Sequence, residues 1–300
     1  MRLKVWFLET RPQFLILSLI LAFLGASMAW YDGSFNWGIA LIAGFGLVLT
    51  HVSVNTLNDY FDYRSGIDLK VKRTPFSGGS GMLPSSMLTP RQVLWLGLGS
   101  LIIAIGIGLY FVFTLIQGWQ LLILLVVAGL CIVLYTPFIL RTVAPEWAAG
   151  LGLGILPILG TYFVQTNEYT IPALIAAIPS GILVHNLLFL NEFPDVEADK
   201  TGKRKTTPIT AGFKKAATVY AVTTIIMYLW IIGAVIARVM PVFTLLALLT
   251  LPFAIKAIRA AFKPEDMNKL VPGMANNVMV VLITQLLMGV GYILSRVFLV

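Results

Sequence analysis

Of the 300 residues, 58% are hydrophobic and only 11% charged, and the mean hydropathy is +0.90. Soluble domains carry roughly a quarter charged residues, so a soluble enzyme, a disordered chain and a nucleic-acid-binding domain are excluded; an integral membrane protein remains. The 21 basic and 13 acidic residues leave a net charge of +8, which fits the Lys and Arg that membrane proteins gather on their cytoplasmic side. A single cysteine, Cys131, rules out an internal disulfide framework and a Cys metal cluster, and it reads as a small buried hydrophobe.

The N-terminal stretch MRLKVWFLETRPQF lacks a cleavable signal pattern, so its apolar continuation is retained as the first span. A helix needs about 20 apolar residues to cross the hydrocarbon. Nine runs answer to that: 12–30, 37–60, 92–113, 118–137, 147–165, 171–193, 216–237, 241–258 and 276–298. The fold class predicted is an all-α, polytopic bundle of nine transmembrane helices, forming one domain over 1–300. With the N-terminus inside, 19 of the 21 basic residues, Arg2 among them, fall on the cytoplasmic side, and only Arg238 and Arg296 fall outside. Of the acidic residues, only Asp32 and Glu168 fall outside. The two long loops, about 61–91 and 194–215, lie on the inner face, and chemistry is expected there.

The second run ends Asn58-Asp59-Tyr60-Phe61-Asp62, and the sixth ends Asn191-Glu192-Phe193-Pro194-Asp195. Both read Asn, acid, aromatic, any residue, Asp, which suggests two similar four-helix halves facing each other. Asn58 and Asp62 are four apart and share a helical face, as do Asn55 and Asp59 beside them. Asn191, Asp195 and Asp199 follow the same spacing, with Pro194 ending or kinking the sixth helix. Charged groups at helix depth are costly and usually functional. Mg²⁺ is a hard cation that binds one or two carboxylates together with substrate phosphates and keeps several waters. Two facing carboxylate sets could therefore hold Mg²⁺ ions around one diphosphate, with Arg64, Lys72, Arg73, Lys203, Arg204 and Lys205 beside them to neutralise phosphate oxygens. The loop Phe76-Ser77-Gly78-Gly79-Ser80-Gly81 reads equally as an anion cradle, a mobile cover or plain flexible chain. His51 and His185 could each line a pocket, but they read better as satisfied buried histidines. Gly150, Gly152 and Gly154 either pack helices closely or leave room for a ligand chain.

These motifs resemble the UbiA superfamily of intramembrane prenyltransferases, which has nine transmembrane helices, one Asp-rich motif (N-D-x-x-D-x-x-x-D) after helix two and another (D-x-x-x-D) after helix six. The match here is Asn58-Asp59-Tyr60-Phe61-Asp62 and Asp195-Val196-Glu197-Ala198-Asp199. Gly66 stands where the third acid of the first motif belongs, and Asp68 follows two later. The stretch Asp62-Tyr63-Arg64-Ser65-Gly66-Ile67-Asp68, the glycine loop after it and Leu159 to Thr166 are similar to the menaquinone branch, which attaches a polyprenyl chain to dihydroxynaphthoate. The resemblance implies a polyprenyl diphosphate donor, a lipophilic aromatic acceptor and Mg²⁺ as cofactor. Asn58, Asp62, Asp68, Asp195 and Asp199 are then metal ligands. Asn58, Arg11, Lys72, Arg73, Asn191 and Lys203 bind substrate, and Asp59, Asp62 and Asp195 act in catalysis, with Asp59 a candidate base. The chain is expected in the cytoplasmic membrane among lipids, with no nucleic acid and no obligate protein partner. Transfer to a non-aromatic acceptor such as a glycerol-phosphate lipid is the nearer alternative. An ion transporter is a distant one, since the outer helix halves carry no polar path, and the D-G-x-x-A-R motif of a CDP-alcohol transferase is missing.

Overall fold

The computed structural model describes residues 2–299; Met1, Val300 and the side chain of Arg2 lie outside the described residues. Thirteen helices follow one another, with no strand among the described residues. They are α1 (Arg2–Glu9), α2 (Pro12–Tyr31), α3 (Trp37–Ser65), α4 (Pro90–Thr114), α5 (Trp119–Leu134), α6 (Glu146–Gly150), α7 (Leu156–Thr166), α8 (Ile171–Asn191), α9 (Val196–Thr201), α10 (Thr207–Ala211), α11 (Phe213–Ile236), α12 (Leu251–Ala261) and α13 (Met267–Leu299). A π-helical turn, Leu151–Ile155, joins α6 and α7 into one rod, and a 3-10 segment, Val242–Thr250, leads into α12 in the same way.

Eight of these rods are long and apolar enough to cross a membrane. The ninth expected span, 118–137, is the 16-residue helix α5. It stops at Leu134 because Pro137 would clash with the carbonyl four residues back. Helix ends elsewhere follow local chemistry. Asn36 caps α3 by accepting the Ile39 N–H at 3.1 Å, Thr170 caps α8 through Ala173 N–H at 3.2 Å, and Thr89 and Gln92 form a reciprocal capping box on α4. α3 runs on past the expected 60 to Ser65, where Gly66 at φ +80° ends it.

The main core lies between α2, α7, α8, α11 and α13, around Leu21, Leu24, Tyr162, Leu183, Met227, Val281 and Met288. Trp95, Ile102, Phe113, Ile123, Leu229 and Ile236 point outward instead, as a lipid-facing surface requires. The glycine series of the α6–α7 rod divides its work. A Cβ on Gly154 would sit 2.7 Å from the Gly181 Cα, so Gly150 and Gly154 let the rod lie directly on α8. Gly152 faces Cys131 instead and lines the cavity described next.

Candidate active site

One end of the bundle gathers the close of α3, the 3-10 turn Ile67–Leu69, the close of α8, and α9 around a cavity of about 310 Å³. Its polar end is formed by Arg11, Asn58, Asp62, Asp68, Asn191, Asp195, Asp199 and Arg204. On α3, the four-residue spacing turns Asn58 and Asp62 to the same side, and the Asn58 amide donates to Asp62 Oδ2 at 3.0 Å and to Thr136 Oγ1 at 3.1 Å. Gly66, which replaces the family's third acid, ends the helix, and the 3-10 turn after it carries Asp68 back to the cavity wall. The turn through Pro194 separates α8 from α9, leaving Asn191 and Asp195 on either side of it and Asp199 one helical turn further on.

Arg204 joins the two halves of this site. Its Nη1 donates to Asp199 Oδ1 at 2.7 Å and its Nη2 to Asp62, so one guanidinium ties α3 to α9. Burial works against its charge, but Asp62 and Asp199 outweigh that and hold it firmly protonated. The glycine loop bridges the halves a second time. Ser77 Oγ donates to Asp195 Oδ1 at 3.2 Å, and the Ser80 N–H donates to Asp59 Oδ2 at 2.7 Å. Gly78, Gly79 and Gly81 all have positive φ, and a side chain at Gly81 would run into the Arg73 guanidinium.

Around the carboxylates the nearby guanidinium groups of Arg11, Arg73 and Arg204 do not offset burial and like charge. Burial, with the like charge of Asp199, pushes Asp195 up to about 7, and burial with Asp59 and Asp62 pushes Asp68 up to about 8. Asp199 is also raised by burial, despite Arg204. Asn191 Oδ1 is buried without a donor. An all-oxygen donor set that is short of cations fits a hard divalent ion. Among the described residues no three acidic, His or Cys side chains converge tightly enough to hold a metal unaided, so phosphate and water oxygens would have to complete its sphere.

Other predicted residues sit elsewhere. Asp59 does not line the cavity; it lies beneath the glycine loop, 3.8 Å from Arg11 Nε. The Ser80 hydroxyl donates to the neighbouring Glu9 at 2.6 Å, and burial together with Asp59 pushes Glu9 up to about 8. Lys72 and Lys203 are exposed and line no part of the cavity. Arg73 donates to the Gly78 carbonyl at 3.1 Å and lines an adjoining chamber of about 260 Å³ shared with Arg11 and Phe76. The positive φ of Lys203 sends that side chain outward, while the next residue, Arg204, points in. The sequence signal for Arg204 was its being the one arginine in Lys203-Arg204-Lys205, since only a planar fork spans two carboxylates. Glu192, Tyr135 and Glu146 were also missed as site residues. His51 bonds Ser18 Oγ at 2.9 Å while lining the cavity, and His185 bonds Asn186 and packs on Trp147.

From the polar end an apolar channel runs between α3, α4, α5 and α7, past Gly46, Leu47, Ile107, Leu124 and Ala128. Along α3 it extends from Asn58 to Ala43, about 22 Å at 1.5 Å per residue. Phe111, Leu121 and Val164 line its far end, beside Ala43.

A multi-pass bundle thus joins a polar mouth lined by carboxylates and guanidinium groups to a long apolar channel. The model of the UbiA prenyltransferase family matches residues 18–277, and the chain belongs to that family. It is 27% identical to the 1,4-dihydroxy-2-naphthoate octaprenyltransferase of Bacillus subtilis (strain 168), over 95% of this chain and 91% of that one. The apo structure of a UbiA homologue from Aeropyrum pernix K1 has the same fold, with a TM-score of 0.71, 16% identity, and 94% and 98% of the two chains covered. A UbiA homologue from Archaeoglobus fulgidus, solved with DMAPP and Mg²⁺, gives a TM-score of 0.58 at 13% identity over 91% and 98%.

Proposed function

We propose that this protein transfers a polyprenyl group from an allylic diphosphate to a hydroxylated aromatic acceptor of the dihydroxynaphthoate type, with Mg²⁺, at the cytoplasmic face of the cytoplasmic membrane. The observation that carries the reading is the meeting of two carboxylate sets from distant parts of the chain at the mouth of one apolar channel. The naphthoate acceptor is supported by what the Bacillus relative is called, and the Mg²⁺ by the donor set and by the ion bound in the Archaeoglobus homologue. The inner-face orientation is supported by the basic residues of the loops.

Asn58, Asp62, Asp68, Asp195 and Asp199 would hold the metal, with Asn191 beside them. The bound ion supplies positive charge that stabilises the departing diphosphate. Arg204 and Arg11 present guanidinium groups to the same diphosphate, and the planar fork of Arg204 suits its oxygens. Because that fork already lies on Asp62 and Asp199, it needs only a local turn to exchange a carboxylate for a phosphate. The channel seats the prenyl tail so that the carbon bearing the leaving group lies at the polar mouth. Its apolar walls keep water from the allylic cation, which would otherwise be lost to hydrolysis. Asp59, beneath the loop, positions the Ser80 backbone and so the cover over the mouth.

The test is transfer of a labelled prenyl group by purified protein to dihydroxynaphthoate, hydroxybenzoate or a glycerol-phosphate lipid, with Mg²⁺ or with chelator. Transfer to dihydroxynaphthoate that chelator abolishes is the expected outcome. Transfer only to the glycerol-phosphate lipid, or turnover that persists in chelator, overturns the acceptor or the metal assignment respectively.

A further inference from the structure

One corner of the cavity is used neither by the diphosphate end nor by the channel. Glu192 at the end of α8, Tyr135 at the end of α5 and Glu146 at the start of α6 converge there, although they come from three separate parts of the chain. Glu192 is 8% exposed and lines the cavity, yet neither of its carboxyl oxygens has a donor. Tyr135 is 9% exposed and lines the cavity too, and its hydroxyl has no partner. Glu146 is fully buried behind them. Its Oε1 accepts the Thr207 N–H at 2.7 Å, which fixes it in place, while its other oxygen is turned to the Glu192 carboxyl within hydrogen-bond reach, so that one proton can be shared between the two. With one proton shared between the two carboxyls, the Tyr135 hydroxyl and a Glu192 oxygen still lack partners on the cavity wall, and such buried groups are nearly always satisfied. The walls beside them are apolar: Leu140, Ala149 and Leu188.

We propose that this corner seats the acceptor, with Glu192, backed by Glu146, and Tyr135 taking the hydroxyl groups of a hydroxylated aromatic ring walled by Leu140, Ala149 and Leu188. The chemistry selects that ligand. Oxygens short of donors call for hydroxyl hydrogens, and the phenol of Tyr135 can both give and take. Two neighbouring carboxyls repel a carboxylate, so any acid group on the ring points away from them. Apolar walls suit a ring face and would leave the shell of a hydrated cation unmatched. The corner also adjoins the carboxylate mouth, so a ring held there meets the prenyl carbon at the junction of head and channel.

The inference rests on the transfer reading above, and its test separates the two. Binding of dihydroxynaphthoate and of its O-methylated ether to the purified full chain is measured by calorimetry, alongside Mg²⁺-dependent binding of a non-hydrolysable prenyl diphosphate. Losing one buried hydrogen bond should weaken dihydroxynaphthoate binding by about threefold to tenfold in Glu192→Gln. Tyr135→Phe, which keeps the ring and its packing, should cost severalfold. Prenyl diphosphate binding stays within twofold in both, and this also shows that they fold. The wild type should discriminate against the methyl ether, and Glu192→Gln should lose that discrimination. If both variants bind dihydroxynaphthoate as the wild type does, the corner holds only water and the proposal is overturned. Parallel loss of prenyl diphosphate binding overturns it as well, since Glu192 then serves the donor. Tight, Glu192-dependent ring binding without any turnover would sustain this seat while defeating the transfer reading.

Discussion

Asp59 and Asp62 stand one turn apart on the same helix, in the same motif, and do different things. Asp62 lines the cavity, hydrogen-bonded to Asn58 and ion-paired with Arg204. Asp59 lies off the cavity wall, with the Ser80 N–H and Arg11 as its partners. Three residues on a helix turn a side chain by roughly 300°, so neighbours in a motif need not share a destination. The acids of this motif divide between facing the cavity and holding the loop beside it. The sharpest way to break that division is by substitution. Asp62→Ala and Asp195→Ala should each lower kcat by at least about a thousandfold, the scale of losing electrostatic stabilisation at a charged leaving group. Asp59→Asn keeps an oxygen for the Ser80 N–H and should lower it by only about tenfold. Steady-state prenyl transfer checks all three, and equal losses at Asp59 and Asp62 would erase the distinction.

Arg204 comes next in size. Removing one partner of a buried pair leaves the other charge uncompensated, a cost of about 3–5 kcal/mol. In Arg204→Gln it is Asp62 and Asp199 that are stranded. The variant should melt well below the wild type in chelator, and Mg²⁺ should recover part of the loss because a divalent ion can replace the missing charge. Arg204→Lys should restore less turnover than stability, because an ammonium cannot span two carboxylates as a planar fork does. Melting curves with and without Mg²⁺, set beside kcat, separate the two roles.

The sequence carried the membrane class, the succession of helices and the two acid sets, because helix period and desolvation cost are local properties. It could not carry which of two adjacent basic residues points inward. At 203 and 204 that choice is made by the left-handed backbone of Lys203, a conformation that glycine and asparagine normally advertise and lysine does not. The gap at Gly66 was visible, but its meaning depended on a 3-10 turn that returns Asp68 to the wall. Glu192 was legible as an acid beside Asn191. Its place in the cavity appears only when Tyr135 and Glu146, distant in the chain, are seen to converge on it.

Proton linkage sharpens the comparison at smaller scale. The ordinary carboxylate value is about 4, whereas burial pushes Asp195 up to about 7 and Asp68 up to about 8. Between those values the folded protein holds protons that the unfolded chain has released. Without metal, therefore, these groups favour the fold most at acid pH, and that contribution is lost as pH rises towards 8. Metal binding needs the deprotonated forms, so the Mg²⁺ concentration for half-maximal turnover should fall severalfold from about pH 6 to pH 8. A metal requirement flat across that range would mean that neither carboxylate faces the ion.

The smallest effect tests the loop from its two ends. The Ser77 hydroxyl reaches Asp195 on the cavity side, and the Ser80 hydroxyl reaches Glu9 on the hidden side. Each bond is worth about 1 kcal/mol, so neither substitution threatens the fold. Ser77→Ala frees the loop from a carboxylate on the cavity wall and, on the proposed function, should raise the KM for the prenyl diphosphate by about threefold to fivefold, with kcat little changed. Ser80→Ala leaves intact the backbone N–H that holds Asp59 and should not move that KM. If instead Ser80→Ala raises the KM and Ser77→Ala does not, the loop is anchored from beneath, and Asp59 and Glu9 rather than Asp195 set the position of the cover.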